Sequence, residues 1–318
     1  MTRARAASPL VLAAFAAVYL IWGSTYLGIR LAIETIPPLA MAGVRFLVAG
    51  AILFPIAYLR GDRRSDRLTL AHWRSTFVIG GLLLFAGNGG ITFAEQHVPS
   101  GIAALLVATV PLWMAVFAHV LGMQRVSRLG VAGLVAGLLG VALLLRPGTV
   151  GATSPAWIAV TLVSPLCWAA GTIYARGARL PRRPLVGTAM EMLCGGAILC
   201  VVAAALGEWG QVHLAAITLT SVLAFAWLVV GGSLIAYSAY AFLLHTVSPR
   251  ALSSYAYVNP LVAVLLGWAF VGEKVSAGTL VASGLIVIAV AVLLVSSREP
   301  VRAEVGSTSV PLAEREIA

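Results

Sequence analysis

Residues 99–127 read PSGIAALLVATVPLWMAVFAHVLGMQRVS, a long apolar run with Pro111 near its middle and a short polar-basic turn at its end. Residues 249–276 read PRALSSYAYVNPLVAVLLGWAFVGEKVS and repeat the design. At an offset of 149 positions, Pro111 falls on Pro260, Gln124 on Glu273, Arg125 on Lys274, Val126 on Val275 and Ser127 on Ser276. A proline inside an apolar helix removes a backbone hydrogen bond and bends it. Its recurrence at matched depth marks one structural unit used twice.

The composition says where such a unit lives. Of 318 residues, 60% are hydrophobic and 10% charged, against about 25% charged in a soluble domain. Apolar runs of about 18 residues or more recur along the whole length, the pattern of an all-α polytopic membrane protein. Ten spans are expected, at roughly 10–30, 38–59, 75–94, 100–121, 128–146, 156–175, 185–206, 219–243, 250–271 and 277–296. Residues 297–318 are polar and read as a disordered cytoplasmic tail. Arg3 and Arg5 before an apolar run imitate a signal peptide, but that run is too long for an h-region and has a partner later in the chain. Cys167, Cys194 and Cys200 lie inside apolar segments without metal-like spacing and read as small packing residues.

The net charge of +10 has a topological reading. With the N-terminus inside, only Arg30, Arg146 and Lys274 fall outside and Arg45 lies within a span. The remaining seventeen of the 21 basic residues are inside. That bias puts both termini in the cytoplasm. Nothing resembles a base-reading or stacking surface for nucleic acid.

The repeat extends beyond the opening stretch. At an offset of 146, Trp22 falls on Trp168, Arg30 on Arg176, Pro38 on Pro184, and residues 50–53 on the identical 196–199. The units are residues 10–146 and 156–296. Each holds five spans, an odd number, so the second is threaded upside down. Inverted repeats of this kind characterise secondary transporters, with the substrate site near midplane between the repeats.

Polar groups within spans tend to face protein or a watery cavity. Tyr19, Trp22 and Tyr26 share one face of segment 1, and Asn88, Thr92 and Glu95 one face of segment 3. Ser233, Tyr237 and Tyr240 share a face of segment 8, and Asn88 aligns with Tyr237. Thr109 and Trp113 flank Pro111, and Ser254, Tyr257 and Asn259 precede Pro260. With Trp168, these residues are candidates for a substrate-binding cavity. The alternative for Ser and Thr is a bond to their own helix, and for Tyr and Trp a place at the headgroups. Arg45 and Glu191 align with each other, and inversion sets them toward opposite membrane faces. Arg45 reads as structural, as do Pro111 and Pro260. Glu191 is a candidate proton carrier or a neutral packing acid, and Glu95 a second coupling candidate or a solvated residue at the outer mouth. Gly130, Gly133, Gly137 and Gly140 form a small-residue stripe, expected to pack on the tenth segment through Gly278, Ala282 and Gly284.

Several of these stretches resemble the EamA domain of the drug/metabolite transporter superfamily. They are Trp22-Gly23-Ser24-Thr25-Tyr26, Arg45-Phe46, residues 99–106 with Pro111-Leu112, Asn259-Pro260, and Gly272-Glu273-Lys274. The resemblance covers residues 12–296. It implies ten helices in two inverted five-helix repeats, a cavity formed by segments 1, 3, 4, 6, 8 and 9, and segments 5 and 10 as peripheral scaffold. Members carry amino acids, metabolites, sugars and drugs, many as exporters. Gln124 departs from the family's acid, which stands at Glu273 in the second copy; the turn reads as structural.

The expected function is secondary active export of a small metabolite or amino-acid-like compound across the inner (cytoplasmic) membrane. Coupling to protons, or to the substrate's own gradient, would drive it, since the chain carries no nucleotide-binding motif. The partners are then that small molecule and the lipid bilayer, with no metal, other cofactor or nucleic acid. A passive channel is the alternative. A membrane-embedded enzyme would need paired acids, paired His or a Ser/His/Asp set, and none is apparent in the sequence.

Overall fold

The computed structural model describes residues 8–59, 67–123, 127–144, 154–247 and 254–296, except the side chains of 241, 244, 245, 257, 293, 294 and 296. The tail at 297–318 and Gln124 lie outside the described residues, as does the side chain of Tyr257. The described residues form α1 (Pro9–Ala32), α2 (Pro38–Leu59), α3 (Leu70–Ala94), α4 (Ser100–Val120), α5 (Arg128–Leu144), α6 (Pro155–Ala175) and α7 (Pro184–Ala205). Then come α8 (Leu219–Tyr240, carried on to Thr246), α9 (Tyr255–Val271) and α10 (Ala277–Ser296). Seven of these are long and apolar enough to cross a membrane, and Arg128–Leu144, Val258–Val271 and Ala277–Val292 are shorter apolar helices.

Local chemistry opens several of these helices. Ser8 accepts from the Val11 amide, with Pro9 at the first helical position. Thr69 and His72 form a reciprocal cap on α3. Pro155 and Pro184 open α6 and α7. Inside the helices, hydrogen bonding widens to a π-helical pattern over Ala17–Ile21, Gly81–Gly89 and Leu228–Ile235. Such stretches occur often at functional sites.

The two repeated prolines act differently. α4 breaks into Ser100–Val107 and Val110–Val120, whereas α9 runs through Pro260. At the break, the Thr109 amide and hydroxyl both return to the Leu106 carbonyl. The two prolines thus correspond in the sequence, and only the first stands at a break in its helix.

Close packing depends on glycine at the helix crossings. On α2 against α7, a Cβ at Gly43 would lie 3.2 Å from the Gly196 carbonyl, and one at Gly50 3.1 Å from the Ala189 carbonyl. The small-residue stripe of α5 lies on α10, as expected, but only Ala282 of the three expected partners is among the contacts: a Cβ at Gly137 would lie 3.4 Å from Ala289 Cβ, one at Gly140 2.8 Å from Ile286 Cγ1 and 3.4 Å from the Ala282 carbonyl, while Gly284 faces open space. The core on α2, α7 and the middle of α3 is apolar, with Phe46, Ala49, Leu84, Met192 and Leu199 buried.

Candidate functional site

A cavity lies among α1, α3, α4, α6, α8 and α9, with Arg45 of α2 completing the wall. Trp22, Tyr26, Asn88, Trp168, Tyr237 and Asn259 all line it. So do Pro111 and Pro260.

Trp22 is the hub of the aromatic side. Its ring centroid lies 5.2 Å from those of Tyr237 and Tyr240 and 5.6 Å from that of Tyr255. Its indole Nε1 donates to the Gly232 carbonyl at 3.1 Å, which fixes the ring across α1 and α8. Trp168 gains its place because Gly87 has no side chain; a Cβ there would lie 3.0 Å from Trp168 Cε3. The polar side carries unmet groups. The Oδ1 atoms of Asn88 and Asn259 and the Nη1 atom of Arg45 are buried without a hydrogen-bond partner. Buried polar atoms are normally satisfied, so such atoms on a cavity wall call for a ligand or water.

Other expected site residues lie off this wall. Thr92 donates to the Asn88 carbonyl and Thr109 to that of Leu106, so both serve their own helix. Tyr240 packs behind Trp22, and Ser254 bonds the Tyr19 hydroxyl. Trp113 has its buried Nε1 unpartnered. Glu191 is half-buried on α7. Glu95, expected at a solvated mouth, is instead 0% exposed. Both its carboxyl oxygens lack partners, and its carbonyl accepts from Arg30 Nη1 at 3.0 Å.

The wall also holds Arg45, expected as a structural residue, and polar residues outside the candidate set, Thr25, Ser164 and Tyr255. Tyr255 stands four residues before Asn259, and that helical spacing was its available signal. Among the described residues no cluster of His, Cys, Asp and Glu is placed to hold a metal ion.

Comparison with known proteins gives a consistent set of likenesses. The model of the EamA-like transporter family matches residues 9–146 and again residues 155–295. The uncharacterized inner membrane transporter YedA of Escherichia coli (strain K12) is 42% identical over 290 residues, 91% of each chain. Protein PecM of Dickeya dadantii (strain 3937) is 27% identical over 269 residues, 82% of this chain and 84% of its own. A protein of known crystal structure, 23% identical, superposes with a TM-score of 0.64 over 92% of this chain and 99% of the other, which shows a shared fold.

Proposed function

Because the chain belongs to the EamA-like transporter family, we propose that it is a secondary active transporter, exporting a small metabolite or amino-acid-like compound by alternating access. The observation that carries this reading is the cavity, walled by aromatic rings and unmet amides from both halves of the chain. Trp22, Tyr26, Asn88, Trp168, Tyr237 and Asn259 bind the substrate, while Thr92, Thr109, Trp113, Tyr240 and Ser254 support them from behind. With no nucleotide-binding motif, an ion or substrate gradient supplies the energy.

The seven long helices and three shorter ones count as ten spans in two inverted repeats. Contact reciprocity supports this. At the offset of 146, Gly43 corresponds to Ala189 and Gly50 to Gly196. Gly43 meets Gly196, and Gly50 meets Ala189. At the offset of 149, Gly137 corresponds to Ile286 and Gly140 to Ala289. Gly137 meets Ala289, and Gly140 meets Ile286. Such exchange of partners is the mark of a two-fold relation. The wall follows it: Trp22 and Trp168, Asn88 and Tyr237, Val110 and Asn259, and Pro111 and Pro260 are corresponding pairs, and all eight line the cavity.

Of the two acids that could carry a coupled proton, Glu95 is favoured by its complete burial and its unpartnered oxygens. Glu95→Gln is then expected to abolish proton-driven transport and Glu191→Gln to spare it; the opposite pattern moves the role to Glu191. The function itself is tested by efflux of a radiolabelled panel of amino acids and metabolites from cells or vesicles. Tyr237→Ala and Asn88→Ala should each slow it about tenfold or more, the effect of losing roughly 1.4 kcal/mol of binding. Unchanged efflux in both, at equal protein level, removes the cavity assignment.

A further inference from the structure

Arg45 is the single charged side chain on the cavity wall among the described residues. It is 2% exposed, and its guanidinium is held in place from several sides. Nε donates to Ser233 Oγ at 3.0 Å, and Cζ lies 4.8 Å from the centroid of the Phe46 ring. Gly232 leaves room for the head group, since a Cβ there would lie 3.0 Å from Nη2. These contacts fix the plane of the fork and leave Nη1 without any hydrogen-bond partner. Removing a cation from water without meeting its donors is costly. Glu95, the buried acid at the end of α3, lies off the wall with both oxygens unpartnered. It therefore does not satisfy Nη1. A positioned guanidinium with a free donor matches the planar oxygens of a carboxylate better than any neutral group.

We propose that Arg45 is the anion anchor of the cavity and that the transported compound is a small organic carboxylate. Its charged end pairs with the free guanidinium nitrogen, and its apolar or planar body lies against Trp22, Trp168 and Tyr237. The unmet Oδ1 atoms of Asn88 and Asn259 then accept from any N–H or O–H group that the same molecule carries. This inference rests on the cavity being the transport site. It turns a residue placed by its sequence as a structural element of the second span into the determinant of substrate charge.

The test uses the full-length protein in detergent micelles and in proteoliposomes. In micelles, 3-phenylpropionate, benzoate and hexanoate are each titrated beside their primary amides, reading the shift of the unfolding midpoint. At least one carboxylate should give a saturable shift at a concentration about tenfold or more below its amide. Arg45→Gln should bring that pair to within about twofold, and Arg45→Lys should keep part of the preference. Equal potency of carboxylate and amide on the unmutated protein, no saturable shift by any carboxylate, or a preference surviving Arg45→Gln overturns the anchor. If Arg45→Gln fails to fold, the unmutated comparison and a second variant decide. Ser233→Ala, which releases Nε and keeps the charge, should then weaken the carboxylate more than the amide, and equal weakening counts against the anchor. In proteoliposomes, uptake of neutral and cationic aromatic solutes without uptake of the carboxylates overturns the anchor and leaves transport standing. Uptake of none of these solutes overturns both.

Discussion

Glu208 and Glu273 each close a helix that is distant in sequence. Glu208, in the short turn after α7, accepts from the Ala40 amide at 2.8 Å, in the first turn of α2. Glu273, after α9, accepts from the Ser100 amide at 2.7 Å, the Ser100 hydroxyl at 2.8 Å and the Gly101 amide at 3.1 Å. A carboxylate there meets orphan amides and the positive end of the helix dipole. Gly272, at φ 65°, turns the chain so that Glu273 can reach α4. Glu273→Ala should cost about 1–2 kcal/mol, read as a lower unfolding midpoint in micelles; an unchanged midpoint refutes the cap. Glu208 adds a pH dependence. Burial pushes its carboxyl above the ordinary 4.5, with the Ala40 and Leu39 amides pulling it partly back. The folded state then holds the proton more tightly than the unfolded one, so this contribution to stability grows as pH falls from above the raised value to below 4.5. Glu208→Gln should flatten that part of the midpoint-versus-pH curve, and parallel curves would reject the assignment. Only the turn after α9 was readable beforehand as structural. The partners lie 168 and 173 positions away, beyond any local pattern.

At the scale of elements, the interlock of α2 with α7 bears most directly on stability. A Cβ at Gly196 would lie 2.9 Å from the Leu47 amide nitrogen and 3.0 Å from the Gly43 carbonyl, both backbone atoms that cannot swing aside. Gly196→Val should therefore destabilise by about 1–3 kcal/mol. Gly210→Ala, a position open to at least 4 Å, should leave the midpoint near that of the unmutated protein. Equal midpoints for both variants would show that the crossing yields. Helix boundaries were largely legible, because Pro38, Pro155 and Pro184 open helices by a rule that needs no tertiary context. The π-helical stretches and the break in α4 were not, since they depend on how neighbouring helices seat. The site divides similarly. Trp22, Asn88, Trp168, Tyr237 and Asn259 stand out as bulky or amide side chains in apolar helices. Thr92 and Thr109 followed the alternative of bonding their own helix. The place of Arg45 on the wall is not legible, because the alignment gives depth in the membrane and not the direction in which a helix face turns.

For the whole molecule, a repeat of five spans has a consequence that four or six would not: the join between repeats must lie on the face opposite the N-terminus. The join falls at residues 147–154, between the spans read at 128–146 and 156–175, and the charge bias predicts that it lies outside. Alkaline phosphatase fused after residue 150 should be active, and fused after residue 180 or at the C-terminus it should be silent. A green fluorescent reporter at the same points should give the reverse. Phosphatase activity at the C-terminus would mean an odd number of spans and remove α5, α9 or α10 from the membrane. Silence at residue 150 would make the repeats parallel, and the reciprocal contacts of α2 with α7 and α5 with α10 would lose their explanation. The wall pairs positions that correspond in the sequence repeat and differ in chemistry. Val110 faces the cavity where its counterpart is Asn259, Asn88 where its counterpart is Tyr237, and Arg45 faces it while its counterpart Glu191 does not. An inverted pair can exchange conformations between its halves because the scaffold is equivalent. It can hold one particular solute because the side chains are not.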